Sequence, residues 1–499
     1  VIADLNDALQ DPFAGSNYDV CICGAGVAGI TLALKLSKRL NVLLLEGGGF
    51  DYSSESQSVY QGENVGDDYV DPSIGRLRFL GGASNHWGGD CRPLDSYDFQ
   101  PKAYLPDSGW PIQASDLKPY LKPAETMLEL SHDDPWVEPS GPLQERLDAS
   151  PSFQSINFKV SPPTRFGTRY RSELEQRSNI SCYLNASVLD LQLSEDPSSL
   201  DHFRVRNYAG KEFQAKARIF VLATGGIENP RLLLNSDRQV PGGVGNQNQL
   251  VGRYFMDHLF CDPAEFIFED AFSEYVDSNP FGDSFKGRLR QHICENQWIR
   301  DVIDDLRERD IDCLSSVRNF FSPSLELLEA ERVLNFNVRM RVRTPGHGEL
   351  TDGRIIMSSE QAPNPLSRIM LGDDLDQFGM RRVKLDWKVS ALDIETIRRG
   401  IIRFGEAFAR LELGRIKMTD WLLTDEIAAR VRPVHHHMGT TRMGESPREG
   451  VVDSTQKVFG TKNLYVAGSS VFTTGGHANP TLTIVQMTLR LADHINSVV

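Results

Sequence analysis

The sequence predicts a mixed α/β (α+β) protein in which a doubly wound, Rossmann-like parallel sheet is interleaved with a second lobe built on an antiparallel sheet covered by helices. Three observations carry that prediction. Asp19-Val20-Cys21-Ile22-Cys23 reads as a short buried strand running into the glycine turn Gly24-Ala25-Gly26-Val27-Ala28-Gly29 and a helical stretch from Ile30 to Arg39. Further strand-like runs, Asn41 to Leu45, Arg218 to Ala223 and Asn463 to Val466, lie far apart in the chain, the last two ahead of glycine turns of their own. Between them, Arg332 to Arg343 largely alternates apolar and polar residues and Arg354 to Ser358 is a second strand-like run, the pattern of an antiparallel sheet with one wet face.

These elements divide the chain into interleaved segments. The nucleotide-binding domain is expected over residues 15–95, 180–260 and 435–499, and the second lobe over 96–179 and 261–434. Leu392 to Leu413 has helical periodicity with its arginines on one side, most simply a solvated face. Asp116 to Leu130 is another helical region, with Pro119 and Pro123 as candidate breaks.

Composition narrows the class. The 499 residues are 40% hydrophobic and 24% charged, with no low-complexity tract, so a globular chain with a large core is expected. Lys plus Arg number 53 against 68 Asp plus Glu, a net charge of -15 that repels nucleic acid and anionic membrane surfaces. The longest apolar runs, such as Val42 to Leu45 and Ile219 to Ala223, are strand-sized, far short of the ~20 residues of a membrane helix. Seven scattered cysteines (Cys21, Cys23, Cys91, Cys182, Cys261, Cys294, Cys313) are read as buried free thiols, which points to a reducing compartment and a cytoplasmic location. The chain starts at Val1, which leaves open a removed leader, and no feature selects an oligomeric state.

The glycine turn has a chemical purpose. Gly24 permits the tight turn, Gly26 lets backbone approach a pyrophosphate, Gly29 lets helix and strand pack closely, and the helix start offers free N–H donors. Glu46, at the end of the second strand and 22 residues after Gly24, is placed to accept from adenosine ribose hydroxyls and to disfavour a 2′-phosphate. FAD or NAD therefore fits better than NADP, and an empty doubly wound domain is the bland alternative.

The segment Phe79-Leu80-Gly81-Gly82-Ala83-Ser84-Asn85-His86-Trp87-Gly88-Gly89 lacks regular periodicity and reads as a loop approaching something flat. It resembles the flavin-facing loop of the glucose-methanol-choline oxidoreductases, and within them the pyranose oxidase and bacterial sugar or polyol dehydrogenase type. The resemblance implies FAD, with Gly81, Gly82, Ser84, Asn85, His86 and Trp87 against it. In the Ser-Thr-His-Trp version of the motif the histidine bonds covalently to the flavin 8α-methyl, so His86 either carries that link or only packs on the ring; Asn85 departs from the threonine. The same resemblance places Val188 beside adenine, Ala223 and Thr224 near the nucleotide half, and Asn229-Pro230 in a second family signature. Gly468 and Ser469 match the ribityl contact, with Ala467 where some members have Asp.

The carboxyl-terminal part carries His435-His436-His437-Met438-Gly439-Thr440 and, about forty residues on, His477-Ala478-Asn479-Pro480-Thr481. Three adjacent histidines suggest metal, but neighbours in an extended segment point to opposite faces, so no metal site is expected. Hydride abstraction from an alcohol needs a neutral base at the hydroxyl proton, and imidazole suits that role. Counting back from Gly439-Thr440, the family pattern selects His436 as that base and Asn479 as its partner, with Pro480 and Thr481 opening a helix whose donors face the flavin. His437, His477 and Glu360 are candidates for the substrate pocket.

The resulting expectation is FAD-dependent oxidation of an alcohol group on a sugar, glycoside or polyol to a carbonyl, with O2, a quinone or a carrier protein as electron acceptor. Two alternatives stand beside it: a flavin-retaining lyase or isomerase on the same scaffold, and a redox-silent flavin-binding subunit.

Overall fold

A computed structural model describes residues 1–134, 136, 151–268, 317–342, 352–424 and 427–499. Cys294, Cys313 and Arg343 lie outside the described residues. One sheet is parallel throughout and six-stranded, in the order Ile2–Asp4, Ile180–Leu184, Val42–Leu45, Val20–Cys23, Ile219–Leu222 and Leu464–Val466. Its central strands, VCIC, VLLL and IFVL, are buried at every position. Such continuous apolar runs are what a parallel sheet covered on both faces requires.

Both covers are present. On one face the helices Val27–Leu36 and Pro480–Val498 pack Ile30, Leu34, Val485 and Leu489 against Val20, Ile22, Val42 and Leu44. On the other, a small antiparallel sheet of Ser187–Leu193, Leu200–Arg206 and Glu212–Lys216 sets Phe203 against Phe220, with ring centroids 4.8 Å apart. The first helix begins at Val27, earlier than the Ile30 expected from the apolar pattern, because Gly26 is already its N-cap.

The larger antiparallel sheet runs Gly414–Met418, Leu259–Phe268, Asp352–Ser359, Phe336–Val342, Val317–Pro323, Phe153–Val160 and Asp90–Cys91. The helix Ala391–Arg410 lies across it and buries Ile397, Ile401 and Phe404 among Phe336, Ile355 and Met357. Ser390 starts this helix with a reciprocal cap: its hydroxyl accepts from the Asp393 N–H while the Asp393 carboxylate accepts from the Ser390 N–H. Its outer face pairs Arg398 and Arg399 with Glu395, and Arg403 with Glu406, in partly exposed bridges worth little singly. The 116–130 region breaks at Pro119, in a 3-10 turn Lys118–Tyr120 between Ala114–Leu117 and Leu121–Met127, whereas Pro123 sits in the first turn of the latter helix without breaking it.

Cys21, Cys23, Cys91, Cys182 and Cys261 are buried free thiols, and burial pushes the Cys182 pKa up to about 12. Among the described residues no helix is long and apolar enough to cross a membrane.

The helix Gly225–Asn235 and a hairpin, Arg368–Leu375 with Arg381–Asp386, are joined by one buried cation. Arg231, 1% exposed, donates to Glu228 at 3.0 Å and to Asp376 at 2.7 Å, and Arg76 meets the other Glu228 oxygen at 2.7 Å. Removing one partner of such a set leaves buried charge uncompensated, which costs about 3–5 kcal/mol. Arg231→Met is therefore expected to lower stability by that amount in denaturant unfolding; a change under about 1 kcal/mol would show that this network does not tie the helix to the hairpin.

Candidate active site

The carboxyl ends of four parallel strands open into one cleft of about 420 Å³. Its walls take Cys23 and Gly24, Glu46 and Gly47, Ala223 and Thr224, and Gly468 and Ser469, each pair just at or beyond a strand end. This is where doubly wound sheets bind ligands, because the turns there leave backbone groups unpaired. Gly24 turns with φ 104°, and Gly29 lies so close beneath it that a side chain there would come within 1.8 Å of the Gly24 carbonyl oxygen.

Gly26, Gly225 and Gly468 face open space, where a Cβ would intrude into the cleft. Three helices, Val27–Leu36, Gly225–Asn235 and Pro480–Val498, start at this cleft, and none has a side-chain cap on its first N–H groups. A glycine cradle with free N–H donors fits a pyrophosphate-bridged dinucleotide such as FAD. Glu46 is buried between the two turns it links, accepting from the Ala25 and Gly48 N–H groups at 2.9 Å each. Val188 lines the wall with Ala186, Ser187 and Leu189.

The glycine-rich segment folds back against the first turn. Its Gly81 N–H donates to the Ala25 carbonyl at 2.8 Å, and residues Gly82–Asn85 form a 3-10 turn. Gly82, Ser84, His86 and Trp87 line the cleft. Gly81 and Asn85 do not, against expectation: Gly81 packs on Gly167, and the Asn85 amide donates to the Leu80 and Gly82 carbonyls at 3.0 Å, bracing the loop from behind. Trp87 is fixed by its indole N–H on the Thr164 carbonyl, 3.0 Å away. His86 is exposed at the cleft, and partial burial lowers its pKa against an opposing pull from the Gly75 carbonyl.

The histidine segment is pinned from both sides. Pro230 has no N–H to donate four residues back in its helix, and the Gly226 carbonyl so released accepts the Thr440 hydroxyl at 2.6 Å. Ser469 donates its hydroxyl to the His437 carbonyl at 2.6 Å, and the Asn229 amide donates to Ala467 and Ser470 in the next turn. The buried Asp257 carboxylate accepts the backbone N–H groups of His435 at 2.9 Å and His436 at 2.8 Å, and the Tyr69 hydroxyl at 2.5 Å.

So held, the three rings diverge. His435 lies on Gly75, His437 against Phe255 and Tyr69, and His436 sets its Nδ1 2.8 Å from Nδ1 of His258. Among the described residues no group of three or more His, Cys, Asp or Glu side chains is placed to hold a metal. Burial lowers the pKa of His436 and of His437 well below the usual histidine value, helped at His436 by His258 and its neighbours.

Asn479 and Pro480 begin the last helix, and Asn479 lines the cleft together with Thr481, His436 and His437. The Asn479 amide makes no capping bond to its own helix. The loop before it rests on a buried polar cluster: Trp110 donates to Thr474 at 2.8 Å, the Gly476 N–H donates to Glu360 at 3.0 Å, and His477 pairs with Asp95 at 3.0 Å.

Glu360 and His477 are therefore placed away from the cleft, a correction to their expected place in the pocket. Glu360 is fully buried and anchors the Gly476 amide, and His477 is turned towards Asp95 and Asn337. The structure also brings to the cleft Arg76, Arg78 and Tyr60, and places His258 behind His436; sequence spacing singled out none of these. Asp257-His258, an acid beside a histidine at a strand start, was the only local signal for the last.

Comparison with known proteins places this geometry. The family model for GMC oxidoreductases matches residues 363–488. A 2-methyl-1,2-propanediol dehydrogenase of Mycolicibacterium austroafricanum is 27% identical over 58% of this chain, which spans about half (49%) of that relative. The fructose dehydrogenase large subunit of Gluconobacter japonicus is 24% identical over 96% of this chain and 97% of its own length. Among solved structures, a formate oxidase variant from Aspergillus oryzae RIB40 superposes with a TM-score of 0.61 at 18% identity, covering 98% of this chain and 99% of the other, and shares the fold. The chain is thus similar to GMC oxidoreductases in its carboxyl-terminal part by the family model, along nearly its whole length to a relative, and in fold to a solved structure.

Proposed function

We propose that the protein is an FAD-dependent oxidoreductase that converts an alcohol group of a sugar, glycoside or polyol to a carbonyl. One observation carries the reading: His436 and Asn479 line the same cleft as the glycines that fit a dinucleotide. The flavin of bound FAD supplies a two-electron acceptor for the hydride of the substrate C–H. The chain supplies the proton chemistry. Neutral His436 takes the hydroxyl proton as the O–H bond breaks, and the Asn479 amide donates to the same oxygen, so alkoxide charge is stabilised where it develops.

The two named relatives, a diol dehydrogenase and a fructose dehydrogenase, support a polyol or sugar substrate and favour oxidation over the lyase reading. O2, a quinone or a carrier protein takes the electrons in the second half-reaction. The division of labour between residues 15–95, 180–260 and 435–499, holding cofactor, and 96–179 and 261–434, shaping the substrate side, belongs to the same proposal, as does a cytoplasmic location for its free thiols.

His436→Ala should slow anaerobic flavin bleaching by sugars and polyols about 10²–10⁴-fold and Asn479→Ala about 10²–10³-fold, both with FAD retained. Unchanged bleaching in either variant removes that residue from the reaction. His86 is proposed as the site of a covalent 8α link; after denaturation, yellow colour should stay with the wild-type polypeptide and leave His86→Ala, and colour released from both excludes the link.

The pH profile provides a separate check. A histidine with a lowered pKa stays neutral, and able to accept a proton, down to that lower value. The acid limb of kcat/KM should therefore fall clearly below the ordinary histidine value of about 6.5, with the rate held as pH drops through it. A limb at or above 6.5 would contradict a buried, neutral base.

A further inference from the structure

His436 has two ring nitrogens, and only the one without a proton can serve as a base. Which one that is depends on His258. The His258 ring is fully buried and edge-on to His436, with an interplanar angle of 89° and centroids 5.0 Å apart. Its Nε2 lies 2.9 Å from the Gly476 carbonyl oxygen, and its Nδ1 lies 2.8 Å from Nδ1 of His436. A carbonyl oxygen only accepts, so Nε2 of His258 carries the hydrogen. A neutral imidazole has a single N–H, which leaves Nδ1 of His258 as an acceptor. The hydrogen in the contact between the two rings then belongs to Nδ1 of His436.

We propose that His258 is a positioning residue that holds the His436 proton on Nδ1 and so leaves the Nε2 lone pair for the substrate hydroxyl. The proposal rests on the reading of His436 as the base. Burial supports the neutral state it needs, pulling the His258 pKa down to about 4.

The surrounding structure fixes both ends of this pair of hydrogen bonds. One Asp257 oxygen accepts the backbone N–H of His258 at 2.7 Å and that of His436 at 2.8 Å, which sets the separation of the two residues. Glu360 holds the Gly476 amide at 3.0 Å, and Asn337 holds the next carbonyl, that of His477, at 3.0 Å, so the acceptor for His258 cannot drift. This gives Glu360 a purpose in the site although it does not reach the cleft.

In the proposed step the substrate O–H bond breaks and an Nε2–H bond forms on His436. The resulting imidazolium keeps its Nδ1–H on His258, and no proton passes to His258, whose own hydrogen stays on Gly476. In hydrolytic triads a carboxylate orients the base and stabilises its cation. Here a neutral acceptor orients the ring without raising its proton affinity as a carboxylate would, which suits a base that must begin unprotonated.

The test compares FAD-loaded wild type with His258→Leu, which removes the acceptor, and His258→Asn, whose side-chain oxygen takes the place of Nδ1. With ¹⁵N-labelled histidine and His436→Gln to assign the signal, the His436 ring should show Nδ1 protonated in wild type and in the Asn variant. The Leu variant should show loss of that preference. Flavin reduction by D-fructose and by 1,2-propanediol should slow about ten- to a hundredfold in the Leu variant, with KM little changed, and recover most of the way in the Asn variant. A wild-type ring protonated on Nε2, or a Leu variant with unchanged tautomer and rate, overturns the proposal. If the tautomers behave as stated but His436→Ala reduces its flavin normally, the base assignment fails and the positioning geometry stands.

Discussion

The candidate site depends on one buried carboxylate. Asp257 stands where the strand Leu259–Phe268 leaves the nucleotide-binding layers, and it accepts the backbone N–H groups of His258, His435 and His436 together with the Tyr69 hydroxyl. The Tyr69 hydroxyl and the His258 N–H would otherwise be buried without a partner, at about 1–3 kcal/mol apiece. Residues 178 or more apart in sequence are thereby held at one point, and a segment that includes the left-handed His435 (φ 65°) is given a single conformation. The divergence of the three rings follows from that conformation.

A second constraint aligns the site with the cofactor cleft. Parallel strands deliver their turns to one edge, so the Gly24, Glu46, Thr224 and Gly468 turns meet there although the chain between them wanders through the other lobe. The proline inside the helix Gly225–Asn235 then becomes useful: the carbonyl it releases holds Thr440, and with it the histidine segment, against the nucleotide side. On the opposite side the Asp95, Glu360 and Asn337 cluster places the loop that ends in Asn479. The proposed base and amide thus arrive from separate scaffolds, each fixed by buried hydrogen bonds rather than by contact with the other.

Features whose physics is local were legible in the sequence. A glycine turn between strand and helix, an acid at the end of the next strand, a proline break at Pro119, and a proline opening the last helix each declare themselves within a few residues. Glu360 and His477 did not, because their roles are set by distant partners, and Asn85 turned back to brace its own loop, a direction that spacing alone does not give. Glu360 follows a strand and looks like a loop carboxylate, yet it is buried on the Gly476 amide, 116 residues away. His258 was silent for the same reason, since nothing in its neighbourhood announces a ring 178 residues on. Arg231 resembles an ordinary helix arginine until the hairpin supplies Asp376.

The central claim is that a neutral His436 and the Asn479 amide act on one substrate oxygen beside a bound flavin. A crystal structure of the FAD-loaded protein with a non-reactive sugar or polyol analogue tests it most directly. Both side chains should lie within about 3 Å of the same hydroxyl oxygen, with its carbon over the flavin. An analogue whose hydroxyl meets neither group, or a flavin bound away from them, would contradict the account.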